Sequence, residues 1–135
     1  MIYLDSCAVI KLIVPEIESA SLNAWLGQRS TTGLITSKLT EVEVPRALRR
    51  SSPGVLGAVA GVLRRLYRVE INDVVRATAA AYLDPSLRSL DAIHLATADA
   101  LISSGKKLDA FVTYDKRLAV AAKDAGMTVV APGDS

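Results

Sequence analysis

Four acidic residues occupy positions in the sequence where a carboxylate could take part in chemistry. Asp5 and Asp115 each follow a short apolar run, Glu43 lies between two valines, and Asp91 lies in the most apolar helical segment of the chain. Two carboxylates about 4 Å apart repel each other by roughly 4 kcal/mol at an effective dielectric constant of 20. If the four acids converge, the cluster therefore stays ionised only around a cation.

Carboxylate oxygens are hard ligands, which favour Mg²⁺ or Mn²⁺ over softer metals. A site with few protein ligands leaves coordination positions open for water and for phosphate oxygens, and this arrangement is typical of metal-assisted phosphoryl hydrolysis. Each acid also has a plain structural alternative. Asp5 and Asp115 could only cap the helices that follow them, and Asp91 could only stabilise the first turn of its own helix.

Apolar runs and helical periodicity predict the elements that must position these acids. Strands are predicted at residues 1–4, 33–36, 67–71, 109–113 and 127–130. Helices are predicted at residues 8–14, 19–26, 38–50, 55–66, 74–83, 90–103 and 116–125. Because strands alternate with helices, the pattern predicts an α/β fold with parallel βαβ units. We expect a three-layer α/β domain over residues 1–135, with a mainly parallel sheet of about five strands.

Residues that begin and end helices support these limits. The expected N-caps and helix stops are Ser37, Asp73, Ser89, Asp115, Gly105 and Gly126. Pro45 predicts a kink in the third helix, or a helix that begins nearer Glu41. Glu41 and Glu43 are two positions apart and lie on nearly opposite sides of that helix, so only one of them can face the sheet. Ligands of open parallel sheets bind beyond the carboxyl ends of the strands, where Asp5 and Asp115 are predicted to lie.

Six arginines and no acidic residue lie between Val44 and Val69, which gives this stretch a local charge of +6. They are Arg46, Arg49, Arg50, Arg64, Arg65 and Arg68. Their spacing predicts two triplets, each along one side of a helix, that could border one surface. Guanidinium groups suit phosphate oxygens, so RNA or an acidic protein segment is the expected partner. The alternative is a solvated helix face.

Composition limits the class of protein. The 135 residues carry 16 Lys and Arg against 14 Asp and Glu, a net charge of +2, so any binding of nucleic acid must be local. Aromatic residues make up only 4% of the chain, which argues against base-stacking platforms for single strands. The single cysteine, Cys7, gives no sign of an oxidising compartment. Without a signal-like or membrane-spanning stretch, we expect a cytoplasmic protein with no membrane partner.

Four motifs in this order resemble the PIN-domain ribonucleases, and among them the VapC-like toxins of bacterial toxin–antitoxin modules. The motifs are Tyr3-Leu4-Asp5-Ser6-Cys7-Ala8, Ser37 with Glu43, Leu90-Asp91-Ala92-Ile93-His94-Leu95-Ala96-Thr97-Ala98, and Val112-Thr113-Tyr114-Asp115-Lys116-Arg117-Leu118. The resemblance covers essentially the whole chain. It implies the PIN fold, a Mg²⁺-dependent or Mn²⁺-dependent endoribonuclease activity, a homodimer, and a cognate antitoxin that blocks the site.

The resemblance also implies roles for individual residues. Asp5, Glu43, Asp91 and Asp115 would be both the catalytic residues and the metal ligands. The hydroxyls of Ser6 and Thr113 would support them. Lys116 and Arg117, just beyond Asp115, are further candidates for phosphate contact.

Two residues near these motifs call for separate expectations. The family commonly has a serine where this chain has Cys7, and we expect Cys7 to be a small buried hydrophobe behind the first strand. His94 follows Asp91 by about one helical turn, and we expect a hydrogen-bonded core residue rather than a general base.

Three alternatives remain at this point. A receiver-type signalling domain would also hold Mg²⁺ in an acidic pocket, but it needs adjacent acids after the first strand, which are absent here. A haloacid-dehalogenase-like phosphatase needs a second acid two residues after the first, where this chain has Cys7. A PIN domain that only binds RNA would not need all four acids.

Overall fold

The computed structural model describes residues 1–134, and strands and helices alternate along most of them. The elements are β1 (Ile2–Leu4), α1 (Ser6–Lys11), α2 (Ser19–Gly27), β2 (Leu34–Ser37), α3 (Thr40–Ser51), a 3₁₀ helix (Pro53–Ala58), α4 (Val59–Leu63), β3 (Tyr67–Val69), α5 (Asp73–Ala81), α6 (Ser89–Ser103), β4 (Ala110–Val112), α7 (Lys116–Asp124) and β5 (Val129–Val130). All five predicted strands are confirmed. None of the helices within residues 1–134 is long and apolar enough to cross a membrane.

The five strands form one sheet in the order β3-β2-β1-β4-β5, and every neighbouring pair is parallel. Tyr3 of the central strand β1 pairs with Ile35 of β2 on one side and with Phe111 of β4 on the other. The chain leaves β1 toward β2 and β3 and later returns to β4 on the opposite side. The carboxyl ends of β1 and β4 therefore border the point where the strand order reverses, which is where open parallel sheets bind ligands.

Helices cover both faces of the sheet. Alternate residues of β1 point to opposite faces, so they pack in two different cores. Ile2 and Leu4 pack in one core with residues of α1 to α4, among them Leu22 and Leu48. Tyr3 packs in a second core with residues of α6 and α7, among them Leu95. The predicted three-layer α/β/α fold with a parallel five-stranded sheet is confirmed.

Several predicted helix boundaries differ from the structure. The first helix begins at Ser6 instead of residue 8, because Asp5 caps it: the Asp5 carboxylate accepts a hydrogen bond from the Ala8 N–H. The fifth helix is capped by Asn72 rather than Asp73, since the Asn72 side chain accepts from the Val75 N–H. The segment predicted as one helix at residues 55–66 is the end of a 3₁₀ helix followed by the short α4, and it contains two glycines, Gly57 and Gly61, which are poor helix formers.

Of the remaining predicted caps and stops, two are wrong and three are confirmed. Ser37 does not cap α3; its hydroxyl accepts from the Leu39 N–H, and α3 begins at Thr40 and continues through Pro45. Ser89 is the first residue of α6 rather than its cap. Asp115 does cap α7, as predicted. Gly105 and Gly126 follow their helices with φ of +94° and +87°, a conformation that favours glycine, and both predicted stops are confirmed.

Candidate active site

A cavity of about 630 Å³ lies at the carboxyl edge of the sheet, where the strand order reverses. Three of the four predicted acids line it, namely Glu43 of α3, Asp91 of α6 and Asp115 at the start of α7. The same cavity is lined by three basic side chains, Arg88, Lys116 and Arg117, and by Ser89 and Leu90. The cavity thus combines carboxylates that could hold a cation with cations that could bind an anionic substrate.

Asp5, the fourth acid, is buried at the end of β1 with 2% of its surface exposed. Its Oδ1 accepts a hydrogen bond from the Ala8 N–H at 2.9 Å, and its Oδ2 accepts one from the Thr113 hydroxyl at 2.5 Å. Burial raises the pKa of the Asp5 carboxyl, and the Asp115 charge raises it further, although His94 and the two hydrogen bonds act in the opposite direction. Asp5 is therefore a carboxylate that the fold holds at an electrostatic cost.

Glu43 is held on the inner side of α3 by two side chains. The Ser6 hydroxyl donates to Glu43 Oε1 at 2.6 Å, and His94 Nε2 lies 2.8 Å from the same oxygen. Burial alone would raise the pKa of Glu43, but the hydrogen bonds from His94 and Ser6 lower it below its ordinary value. Glu41, two positions away, is exposed and pairs with Arg68 at 2.9 Å, so Glu43 is the acid that faces the sheet.

Asp91 and Asp115 complete the acidic wall of the cavity. Asp91 lies in the first turn of α6, and its side chain accepts no hydrogen bond from any group within residues 1–134. Burial raises its pKa, followed by the charges of Asp115 and Asp5. Asp115 uses Oδ1 to accept from the Leu118 N–H at 2.9 Å, and its own N–H donates to the Thr113 hydroxyl oxygen at 3.1 Å. Thr113 therefore bridges Asp5 and Asp115.

The pKa of the exposed Cys7 thiol is influenced by all four acids. Partial burial raises the pKa of Cys7 to about 12, and after burial the charges of Asp5, Asp115, Asp91 and Glu43 each raise it further. The prediction that Cys7 is buried was wrong. Ser6, Ala8 and Val9 form the buried side of α1, and Cys7 lies on the exposed side.

The donor set decides which metal the residues could hold. All four acids offer carboxylate oxygens, which fit a hard divalent cation such as Mg²⁺ or Mn²⁺. Within residues 1–134, no three His, Cys, Asp or Glu side chains stand in a ligating arrangement around a single point. At most two of these acids would therefore contact one cation directly in this arrangement, and water or substrate oxygens would fill the other positions.

The predicted arginines are not gathered at this cavity. Arg64 and Arg65 lie in the turn after α4 and Arg68 lies in β3, so the prediction that they share one side of a helix was wrong; the helix ends at Leu63, before all three. Arg68 pairs with Glu41, and Arg65 lines a separate cavity beside Gly33, before β2. Arg46, Arg49 and Arg50 are exposed on α3. Their contact with RNA or antitoxin stays a prediction.

Arg88 was not among the predicted residues, although it lines the cavity beside Lys116 and Arg117. All three cations are exposed, and within residues 1–134 none of them forms an ion pair with a carboxylate. The sequence signal was the position of Arg88 immediately before the helix that carries Asp91. Its guanidinium group is thus available to a phosphate.

The protein is thus an α/β protein whose parallel sheet has carboxylates gathered at its strand-order reversal, where open sheets of this kind bind ligands. The PIN domain family model matches residues 2–124, and the chain belongs to this family. The receiver-like and dehalogenase-like alternatives are therefore wrong.

Among the relatives, the chain is 55% identical to Ribonuclease VapC35 of Mycobacterium tuberculosis over 135 residues, which covers 100% of this chain and 99% of the relative. It is 41% identical to Ribonuclease VapC46 of Mycobacterium tuberculosis, with 97% of each chain covered. Within the PIN family, the chain is thus a VapC-like member, which confirms the predicted resemblance.

Solved structures confirm the fold at much lower sequence identity. VapC20 of Mycobacterium tuberculosis, a sarcin-ricin loop cleaving toxin, superposes with a TM-score of 0.72 at 15% identity, covering 98% of this chain and 100% of that chain. FitAcB from Neisseria gonorrhoeae gives a TM-score of 0.71 at 18% identity, with 98% of each chain covered. VapBC2 from Rickettsia felis gives 0.65 at 12% identity, covering 98% of this chain and 99% of that chain.

Proposed function

We propose that this protein is a divalent-metal-dependent endoribonuclease and the toxin of a toxin–antitoxin pair. The observation that carries the proposal is the single cavity that brings Glu43, Asp91 and Asp115 together with Arg88, Lys116 and Arg117. The VapC relatives, which are named as ribonucleases, support RNA as the substrate. The phosphodiester of RNA is an anion that basic side chains could bind beside carboxylates that hold a cation.

In this proposal, different residues hold the cation, position the carboxylates and bind the RNA. Asp5, Glu43, Asp91 and Asp115 would hold Mg²⁺, or Mn²⁺ in its place, directly or through bound water, and Ser6 and Thr113 fix two of these carboxylates by donating hydrogen bonds. When bound, the cation lowers the pKa of an attacking water and stabilises the negative charge that develops on the phosphodiester. Arg88, Lys116 and Arg117 bind the RNA backbone and orient it over the acids.

The proposal also names the partners. A cognate antitoxin is the expected protein partner, and the fold shared with VapBC2 and FitAcB supports it. The family resemblance supports a homodimer. An RNA substrate supports a cytoplasmic location.

Cleavage of RNA by the purified full chain tests the proposal. We expect cleavage with Mg²⁺ or Mn²⁺ and none with EDTA. Glu43→Gln keeps an oxygen for Ser6 and His94 but removes the charge, and it should abolish cleavage. Glu41→Gln is the matched control, because Glu41 lies on the same helix but is exposed and paired with Arg68, and it should leave cleavage unchanged.

Sequencing of the RNA ends would then identify the cleavage position. Metal-independent cleavage, or equal cleavage by wild type and Glu43→Gln, would contradict the proposal. Metal-dependent binding of RNA without cleavage would favour a PIN domain that only binds RNA.

A further inference from the structure

His94 is the only histidine of the chain, and it lies almost fully buried between the sheet and the acidic cavity. Its Nδ1 is 2.7 Å from the Tyr3 hydroxyl oxygen, and its Nε2 is 2.8 Å from Glu43 Oε1 and 3.2 Å from Ser6 Oγ. Both ring nitrogens thus have a polar partner, which confirms the expectation of a hydrogen-bonded core residue. The partner of Nε2 is one of the cavity acids.

The direction of these hydrogen bonds follows from which groups can donate. A carboxylate only accepts, and the single hydroxyl proton of Ser6 is already donated to Glu43 Oε1. His94 Nε2 must therefore carry a hydrogen, which it donates to Glu43. In the neutral imidazole with its hydrogen on Nε2, Nδ1 is an acceptor, so the Tyr3 hydroxyl donates to His94 Nδ1.

Tyr3 is itself held rigidly. Its side chain is fully buried in the central strand, and its ring stacks on Phe111 with centroids 5.0 Å apart and an interplanar angle of 9°. The rings of Tyr3 and His94 meet edge to face at 5.9 Å. A fixed hydroxyl on the sheet therefore sets both the tautomer and the orientation of the imidazole.

The consequence appears at the two oxygens of Glu43. Oε1 accepts from both Ser6 and His94, whereas Oε2 accepts no hydrogen bond from any group within residues 1–134. Glu43 lines the cavity, so the two donors hold one oxygen and leave the other available to a ligand. An exposed glutamate would lose rotamer freedom on binding a cation, and this glutamate has already lost it.

We propose that His94 is a positioning residue, which with Tyr3 behind it holds Glu43 ready for the divalent cation. The inference rests on the proposed function, because it concerns the cation that the acids would hold. His94 does not contact the substrate in this role and takes no proton from it. A histidine that only filled the core would affect stability without any specific effect on the affinity for the cation.

The test measures Mn²⁺ affinity of the full-length protein by calorimetry, without RNA. His94→Leu fills a similar volume and removes the N–H donor, and it should weaken Mn²⁺ binding by about tenfold or more, as loss of a group behind a metal ligand typically does. His94→Gln can place an N–H near Glu43 and should recover most of the affinity. Tyr3→Phe removes only the hydroxyl and should weaken binding less than His94→Leu.

A double-mutant cycle separates positioning from simple packing. In a Glu43→Gln background, where the charged ligand is absent, His94→Leu should weaken Mn²⁺ binding by less than threefold further. An equal loss in both backgrounds, or wild-type Mn²⁺ affinity for His94→Leu, would overturn the inference. If His94→Leu does not fold, Tyr3→Phe in both backgrounds carries the same comparison.

The inference and the proposed function fail differently. Wild-type protein that cleaves RNA with Mn²⁺ while His94→Leu binds Mn²⁺ normally would refute the role of His94 alone. Wild-type protein that neither binds Mn²⁺ nor cleaves RNA would refute both.

Discussion

Replacement of Asp91 by asparagine offers the sharpest separation of a metal site from an acid that only stabilises a helix. The Asp91 carboxylate accepts no hydrogen bond within residues 1–134, so Asp91→Asn breaks none. It removes a charge that lies near Asp115, Asp5 and Glu43, all of which raise the pKa of Asp91. The favourable interactions it loses are the attraction to His94 and the interaction with the dipole of α6, the latter about 0.3–1 kcal/mol.

The expected effect on the metal-free protein follows from these opposing contributions. Asp91 has three acidic neighbours, and we expect the relief of repulsion to match or exceed the loss of the dipole interaction. The melting temperature of metal-free Asp91→Asn should then equal or exceed that of wild type. If Asp91 only stabilised its helix, the melting temperature would fall, by a few degrees for about 0.3–1 kcal/mol in a domain of this size.

The metal-bound protein gives the larger signal. A cation at one hundred times its dissociation constant stabilises the folded state by about 2.7 kcal/mol. For a chain of this length, roughly 3–5 °C per kcal/mol converts this to a rise of about 10 °C in the melting temperature of wild type. Asp91→Asn should lose most of that rise and should not cleave RNA.

Thermal melts with EDTA and with Mn²⁺, run beside an RNA cleavage assay, make the measurement. Asp124→Asn is the matched control, because it removes one negative charge from an exposed position near the end of α7. It should show the full metal-induced rise. If wild type shows no such rise and Asp91→Asn still cleaves RNA, the shared metal site is refuted.

Three further predictions concern pH, the basic side chains and the thiol. The raised pKa values of Asp5 and Asp91 mean that these two carboxyls bind a proton more tightly in the folded protein than in the unfolded chain. Their protonation therefore stabilises the fold fully below the ordinary Asp pKa of about 4, and this contribution is lost as pH rises through the raised pKa values. Melts should therefore show metal-free wild type gaining stability as pH falls from 7 toward the ordinary Asp pKa and gaining more than Asp91→Asn, while the Mn²⁺-induced rise shrinks; an equal gain in both proteins would contradict this. Arg88→Gln with Arg117→Gln should weaken RNA binding and reduce its salt dependence, since fewer counterions are released, and an unchanged salt slope in binding titrations would remove both residues from the RNA site. Cys7→Ser should keep cleavage within about threefold of wild type, because a thiol with a pKa of about 12 stays protonated at neutral pH, and strong inactivation with the fold intact by circular dichroism would refute this.

Local sequence patterns predicted the order and type of the elements but not their ends. Apolar runs bounded by polar residues predicted all five strands, because such runs bury best in a parallel sheet covered on both faces. Helix ends depend on which of two adjacent polar side chains turns back to the backbone. Asn72 and Asp73 are equally good caps by residue type, and only the structure shows that Asn72 accepts from Val75.

The same limit explains the residues that sequence reasoning placed wrongly around the site. A helix predicted to start at residue 8 left Cys7 outside it, whereas a helix that starts at Ser6 turns Cys7 outward. His94 contacts Tyr3, which is 91 residues away in the sequence, and Glu43, which is 51 residues away. No local sequence pattern encodes such pairs. The approximate positions of the four acids could be predicted from local patterns, because these acids lie at strand ends or on inward-facing sides of helices.

The choice between a helix cap and a site acid, which the sequence left open, is not an exclusive one. A cap uses one carboxylate oxygen: Asp115 accepts from the Leu118 N–H through Oδ1, and within residues 1–134 its Oδ2 accepts nothing. Glu43 follows the same division, with Oε1 held by two donors and Oε2 unbonded within that range. Asp5 uses both oxygens, and its second donor is the Thr113 hydroxyl, which also accepts from the Asp115 N–H. Each structural bond thus fixes the direction of a carboxylate, and a direction fixed in advance would lower the entropy cost of binding the proposed cation.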